Sequence, residues 1–482
     1  MRSWVRSIRS FARRKLKMNV NRDGPRFLPN TLSPTDFHAL DENAQAAVCS
    51  TLERAIEDAI EFIEVEHPKC KAEEPGSSMI YGSTGGIAWA YMRLVLQSSA
   101  LNLRTDLQTR IASLLVAHAN TCLPPSPPSP RSGLNCGQIG FLIHPTGGAT
   151  LALLLHYSLG GLRPMSDTEL SHCIEILRTM SAAFNIPAAA GTSGEEEGFD
   201  AEPLNGRAGL LHAFLLLRKN VPLEKMDPTL RELVDDALIG EMVRVIVESG
   251  RVGAKVQPEG MRMKMPLVWR WTARPEVVLL SAGHGIAGIL LTVLQAPPSA
   301  WKPYIEEILE TVDCLVDLQM ENGNWSVGVG HPKNDLVHWC HGAPGFILLL
   351  SHILSSSLPL DLSPTRRDKY TISLSKAVAH TWERGILTKG PGICHGITGS
   401  AYALLHSGEK DRALEMALCA TEWRALEKDG KIRRPDGPSS LFEGLAGAVC
   451  MWADTLCVLK GHEEQVIGFP ASLDVGTALA HL

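Results

Sequence analysis

Several things are scarce or missing in this chain of 482 residues, and each absence narrows what it can be. No apolar run approaches the roughly 18 residues of a membrane span. Positive charge is not in excess: 46 Lys and Arg face 52 Asp and Glu, for a formal net charge of -6, which gives no reason to expect nucleic-acid binding. Aromatic residues make up only 6%, while Ala, Leu and Gly are common, a balance that suits closely packed helices. The eleven cysteines form an odd count and show no disulfide-scaffold spacing, so a reducing compartment with free thiols is expected. The amino terminus has no apolar h-region, which excludes a secretory signal.

What is present is organised around two Cys-His pairs. Asp335–Gly345 reads Asp-Leu-Val-His-Trp-Cys-His-Gly-Ala-Pro-Gly, and Lys389–Gly399 reads Lys-Gly-Pro-Gly-Ile-Cys-His-Gly-Ile-Thr-Gly. Each closes a loop and opens an apolar, helix-like run. Cys and His are the usual soft and borderline ligands of zinc. The pairs stand 54 residues apart and neither contains Cys-x-x-Cys, so a metal site would have to be assembled by the fold rather than by a local knuckle.

The glycine motif around these pairs recurs. A second glycine followed by an apolar helical run falls at 85, 148, 209, 288, 345, 399 and 447, seven copies spaced 48 to 79 residues apart. That period fits one helical hairpin plus loops. Charged amphipathic segments such as Asn43–Glu66, Leu230–Glu248, Tyr304–Gln319 and Lys369–Arg384 lie between the motifs. The spacing predicts an inner helix after each glycine motif and an outer, more polar helix before it. Closing seven such hairpins into a ring buries the inner faces and leaves no terminal repeat exposed. Every glycine loop then lies at one end of the ring, so the residues just before it converge on one pocket.

The expected division is a basic tail and arm over residues 1–40 and a single helical domain over 41–482. Met1–Lys17 is strongly basic, with Trp4, Val5, Ile8 and Phe11 at helical spacing; it reads as a basic tail, a mitochondrial presequence or a membrane-surface helix. Pro124–Ser132 is a proline-rich insertion and Ala188–Gly198 a small, acidic loop.

The motifs Tyr81–Gly86, Gly206–Gly209, Ala282–Gly288, Trp339–Gly345, Gly392–Gly396 and Ser440–Gly447 resemble those of the lanthionine synthetase C-like family, in its eukaryotic branch. The resemblance spans residues 81 to 447. It implies an all-α fold, an α/α toroid of seven inner and seven outer helices, in agreement with the repeat count. It implies zinc held by Cys340, Cys394 and His395, with the fourth position left to water or a substrate thiol, and does not use His341. It points to His284 as the acid–base group and to Glu202 as a second catalytic carboxylate. Lys389, Arg433 and Arg26 match cations expected to hold the carboxylates of glutathione or a substrate phosphate. The implied activity is zinc-dependent addition of a thiol, with glutathione as the thiol and a dehydroamino acid in a peptide or protein as the acceptor. Phosphorylated peptides are alternative partners, and a cytoplasmic location with peripheral membrane contact is expected. Two other classes compete: a non-catalytic glutathione- or peptide-binding scaffold with a structural zinc, and an α/α-barrel glycosidase, which would leave the Cys-His motifs unexplained. One departure stands out, His144-Pro145 where the resemblance leads one to expect Cys-Gly.

Overall fold

The structure is a computed structural model that describes residues 25–67, 78–123, 133–158, 162–186, 201–255, 264–270, 277–331 and 335–474. The basic segment 1–17, the proline-rich stretch 124–132, the loop 188–198 and Asp200 lie outside these residues. Among the described residues there is no β-strand, only two isolated bridges, Phe27 with Leu387 and Leu279 with Gly328.

Fourteen helices of nine or more residues are described. In chain order they are α1 (Glu42–Glu66), α2 (Thr84–Leu96), α3 (Thr105–Thr121), α4 (Pro145–Tyr157), α5 (Asp167–Ala183), α6 (Arg207–Asn220) and α7 (Asp236–Gly253). There follow α8 (Ile286–Leu294), α9 (Ile305–Asp317), α10 (Ala343–Leu354), α11 (Pro364–Arg384), α12 (Ile397–His406), α13 (Lys410–Thr421) and α14 (Leu445–Leu459). The even-numbered helices are the inner ring. Every residue of α8 is buried, as is α12 from Ile397 to Leu404. A helix apolar on all sides must be covered on all sides. The odd-numbered helices carry a single stripe. In α9 it is Ile308, Leu309, Val312 and Leu315, with Glu306 and Glu310 exposed on the opposite face.

The inner helices close on themselves. Neighbours pack in the order α2, α4, α6, α8, α10, α12, α14, and α14 returns to α2. The alternation of outer helix, glycine motif and inner helix is the expected one, and the packing refines it. An inner helix packs on the outer helix that follows it: α2 on α3, α4 on α5, α6 on α7, α10 on α11, α12 on α13. The last inner helix, α14, takes the first outer helix, α1, so that the two ends of the chain seal the ring. The connections explain this. The turn from α12 to α13 is only residues 407–409, whereas the return from α9 to α10 runs over 318–342. Short connections force antiparallel neighbours; long ones carry the chain to the next position.

The long returns all reach the same end of the ring, and backbone hydrogen bonds stitch them together. Trp339 N donates to Cys394 O (2.9 Å), Cys394 N to Phe442 O (2.8 Å), Phe442 N to Tyr81 O (3.1 Å) and Tyr81 N to Leu142 O (2.9 Å). Gly140 N donates to Asn205 O (2.7 Å), and Ser281 Oγ joins the fourth loop to the fifth through Trp339 O (3.2 Å). Residues far apart in sequence are thereby held at fixed positions around one rim.

The axis of the ring is filled by residues 466–474. Ile467 N and Gly468 N donate to the Asp454 carboxylate, Gly468 O accepts from Arg93, Phe469 N donates to His406 Nε2, and Ser472 O accepts from Gln295. Asp474 pairs with His212. A segment that touches five inner helices, α2, α6, α12 and α14 along their length and α8 at its end, must lie inside them. The hub is the Arg93–Asp454 ion pair (2.8 Å), almost wholly buried, with Tyr402 Oη (3.0 Å) and Gln97 Nε2 (2.6 Å) also on the carboxylate. Asp454→Ala leaves the guanidinium buried without its counter-charge. A loss of about 3–5 kcal/mol of stability is expected, as for other broken buried pairs. Chemical denaturation of the variant checks this, and an unfolding midpoint equal to that of the wild type would contradict the assigned role.

Candidate functional site

The rim formed by the glycine loops carries the candidate site. Cys340 stands just before α10, and Cys394 and His395 just before α12. The two thiol sulfurs and an imidazole nitrogen of His395 all lie within 4.8 Å of one another, and this is a group of three ligand-type side chains that could hold one ion. Cys340 and Cys394 are buried and His395 is half-buried. The hydrogen bond from Cys394 holds the Cys340 thiol well below its ordinary range despite burial, whereas burial and then Cys340 push Cys394 up. A tetrahedral zinc, with bonds of about 2.3 Å to sulfur and 2.0 Å to nitrogen, requires donors less than about 4 Å apart. The observed donors, all within 4.8 Å of one another, stand near that spacing and are the sulfur and imidazole types that zinc takes, so the residues fit zinc.

Two glycines make the approach possible. A Cβ on Gly283 would stand 2.7 Å from Cys340 Cβ, so only glycine lets the fourth loop lie against the fifth. Gly342 has φ +110°, in the left-handed region, and a Cβ there would meet Leu336 O at 2.0 Å.

Beside Gly283, His284 presents Nδ1 to Glu202 Oε2 at 2.9 Å. Glu202 is only 3% exposed and is not a solvated loop acid. Its other oxygen accepts from both Asn205 N and Asn205 Nδ2, each at 2.7 Å. His144, in the preceding repeat, is buried, and burial lowers its imidazole to about 4 and keeps it neutral. The His284 ring stacks on His341 with centroids 5.6 Å apart. His341 lies outside the three-residue ligand cluster.

The three cations expected to bind an anionic substrate are brought together by main-chain pairing. Thr388 N donates to Arg26 O (3.0 Å), and Arg433 N donates to Thr388 O (2.8 Å), which places Arg26 and Arg433 on either side of the 388–389 segment. The Arg26 side chain is paired with Asp335 (2.7 Å). Lys389 is exposed, and its charge weighs on His338 and His341 of the adjacent loop. The arm 25–28 is thus part of the rim.

Two further residues stand at the thiols and had no assigned role in the sequence. Tyr81 Oη donates to Cys394 Sγ (3.3 Å), with its ring stacked on Phe442 at 4.8 Å. His338 is buried with its ring 5.6 Å from that of His395, and it is among the groups that hold the Cys340 thiol down. A signal for the first existed. The residue four before the second glycine is Tyr81, His144, Asn205, His284, His341, His395 and Glu443 in the seven repeats. All seven are polar or aromatic within otherwise apolar motifs, and a closed ring brings that position to one rim. Nothing comparable marks His338.

Comparison with known proteins agrees with this geometry. Residues 147–460 match the sequence model of the family described as lanthionine synthetase C-like protein. A zebrafish (Danio rerio) protein named Glutathione S-transferase LANCL1 is 30% identical over 259 residues, covering 53% of this chain and 59% of the relative. An Arabidopsis thaliana protein named LanC-like protein GCL1 is 29% identical over 272 residues, covering 54% and 56%. The chain thus spans less than two thirds of the length of these relatives. Among solved structures, nisin cyclase superposes with a TM-score of 0.51 over 89% of this chain and 100% of its own length at 14% identity, a likeness of fold.

Proposed function

The chain belongs to the lanthionine synthetase C-like family, and we propose that it is a zinc-dependent enzyme that adds the thiol of glutathione to dehydroalanine or dehydrobutyrine residues of a peptide or protein. The observation that carries the reading is the three-residue cluster of Cys340, Cys394 and His395 on the rim that also bears His284 and Lys389. Three protein ligands and one remaining position are how catalytic zinc is built. When bound, zinc lowers the pKa of a coordinated thiol and holds a thiolate at neutral pH.

The chain's own residues account for the rest. The sulfur forms a bond to the β-carbon of the acceptor, and the alkene pair moves onto the α-carbon and its carbonyl. His284 delivers a proton to the α-carbon, so the thiol hydrogen is formally transferred and nothing is expelled. Glu202 fixes the ring by accepting from Nδ1, which directs Nε2 toward the reacting carbon. Mass spectrometry of a dehydroalanine peptide incubated with glutathione and the protein tests the whole reading. A protein-dependent mass increase equal to one glutathione is expected; none would turn the reading toward a scaffold.

Glutathione carries two carboxylates, and the cations Lys389 and Arg433 on the same rim are assigned to hold them. Lys389→Ala and Arg433→Ala are each expected to weaken glutathione binding by about 1–2 kcal/mol. That is at or below the roughly 1.5–3 kcal/mol of a hydrogen bond to a charged group, because Lys389 is exposed and screened. Zinc content should stay unchanged. Calorimetric titration of the wild type and both variants decides it, and equal affinities would sink the cation assignment.

A further inference from the structure

One thiol sulfur has a donor of its own from outside the ligand set: Tyr81 Oη lies 3.3 Å from Cys394 Sγ. The buried His338 ring stands beside the cluster, 5.6 Å from the His395 ring, and is among the groups that hold the Cys340 thiol down. We propose that Tyr81 and His338 are positioning residues that donate one hydrogen bond to each metal thiolate, aiming the sulfurs and drawing charge from them. This rests on the metal-site reading above.

The placement of Tyr81 is built rather than incidental. Its backbone is tied on both sides, N to Leu142 O and O to Phe442 N, and its ring lies flat on Phe442 with an interplanar angle of 13°. The hydroxyl therefore has little freedom to point elsewhere. Tyr81 also occupies, in its own repeat, the position that His395 occupies in the sixth, so the two reach the same rim by the same geometry. An aromatic residue needed only for packing could be Phe, as it is at 442. His338 is buried on the other side of the pair, its N donating to His341 O (2.8 Å) and its ring 5.6 Å from that of His395.

The chemical consequence follows from charge. Two thiolates and one neutral imidazole cancel the charge of a zinc dication. If Cys340, Cys394 and His395 held such an ion, a further thiolate would leave net negative charge beside the two protein sulfurs. Donors to the protein sulfurs spread that charge, so the centre accepts another thiolate more readily. The same donors favour the deprotonated form that a metal requires. They leave the incoming sulfur untouched, which preserves its nucleophilicity.

Tyr81→Phe removes the hydroxyl and keeps the stack on Phe442. At His338, Leu removes the donor and Gln retains one. Zinc affinity is measured in the full chain by competition with a chromophoric chelator, and the sulfur-to-metal charge-transfer band is read in the cobalt(II)-substituted protein. Tyr81→Phe and His338→Leu are each expected to weaken zinc binding by roughly 10- to 100-fold, the usual effect of removing an outer partner. Each should move the charge-transfer band to longer wavelength, because a sulfur lone pair rises in energy when its hydrogen bond is lost. His338→Gln should restore most of both. Unchanged affinity and band would overturn the proposal, and so would weaker affinity with an unmoved band, since packing alone would then explain the loss. A wild type that binds neither zinc nor cobalt would remove the metal-site reading and this inference with it; a wild type that binds both, with variants whose affinity and band equal those of the wild type, would remove this inference alone.

Discussion

Replacing Cys340, Cys394 or His395 by alanine, one at a time, is expected to strip most of the zinc from a protein that otherwise carries about one zinc per chain. Each change takes one donor from a cluster whose three ligand atoms lie within 4.8 Å, and no fourth His, Cys, Asp or Glu among the described residues joins that cluster. Two remaining ligands and water cannot match three. The fold should survive each change. The loops that carry the donors are pinned by main-chain bonds, Trp339 N to Cys394 O and Cys394 N to Phe442 O, which need no side chain. Circular dichroism of the variants should therefore stay helical while elemental analysis shows the metal gone. Zinc affinity of the wild type should also fall as pH is lowered. Burial pushes the Cys394 thiol up, and a metal must displace its proton on binding. Full zinc in all three variants would remove the metal centre from these residues.

The fold was legible because seven copies of one signal repeat. An apolar run all round, opened by paired glycines, can only be an inner helix, and seven of them can bury one another only in a ring. The pairing of helices was harder to read, since it depends on which connection is short, and charge pattern says nothing of that. The candidate ligands were legible as residue types, and the glycines that let loops touch, Gly283 and Gly342, lie inside the same motifs. Glu202 looked like any loop acid, because burial is a property of neighbours: its partners Asn205 and His284 are local in one case and 82 residues away in the other. The axial segment 466–474 had no signal at all. It lacks periodicity, and its anchors Arg93, Gln97 and Asp454 are lone polar residues in apolar helices, more than 350 positions apart across the ring. Such residues are costly unless paired, so each was a clue that something polar fills the axis. The clue does not say what. Similarly, the polar position that recurs four residues before each second glycine marks the rim, but the role of each member depends on its neighbours around the ring.

His284→Ala is expected to keep zinc and fold and to lose roughly 10²–10⁴-fold in thiol addition, the usual scale for a general acid or base. The geometry separates this residue from the ligands. His284 belongs to the fourth loop, outside the three-residue cluster, with its ring stacked on His341. Its side chain is 25% exposed, so the ring is anchored at Nδ1 by Glu202 and reaches the open side of the rim. After the sulfur has bonded to the β-carbon, the α-carbon must take a proton, and water is a poor donor to a developing enolate at neutral pH. An imidazole titrates in the right range and holds its proton at a fixed point. Glu202→Gln should cost less than His284→Ala. The amide can still hydrogen-bond Nδ1, but it no longer supplies the negative charge that favours the protonated ring, and its orientation is contested by Asn205. The falling limb of the pH–rate profile on the alkaline side should therefore move to lower pH in Glu202→Gln, because the imidazolium is less stabilised. Steady-state rates across pH, with zinc measured on the same samples, separate the possibilities. Loss of zinc in His284→Ala would make the rate change a metal effect. Undiminished turnover with zinc in place would mean that the proton reaches the α-carbon without an imidazole, and the role assigned to this loop would fall.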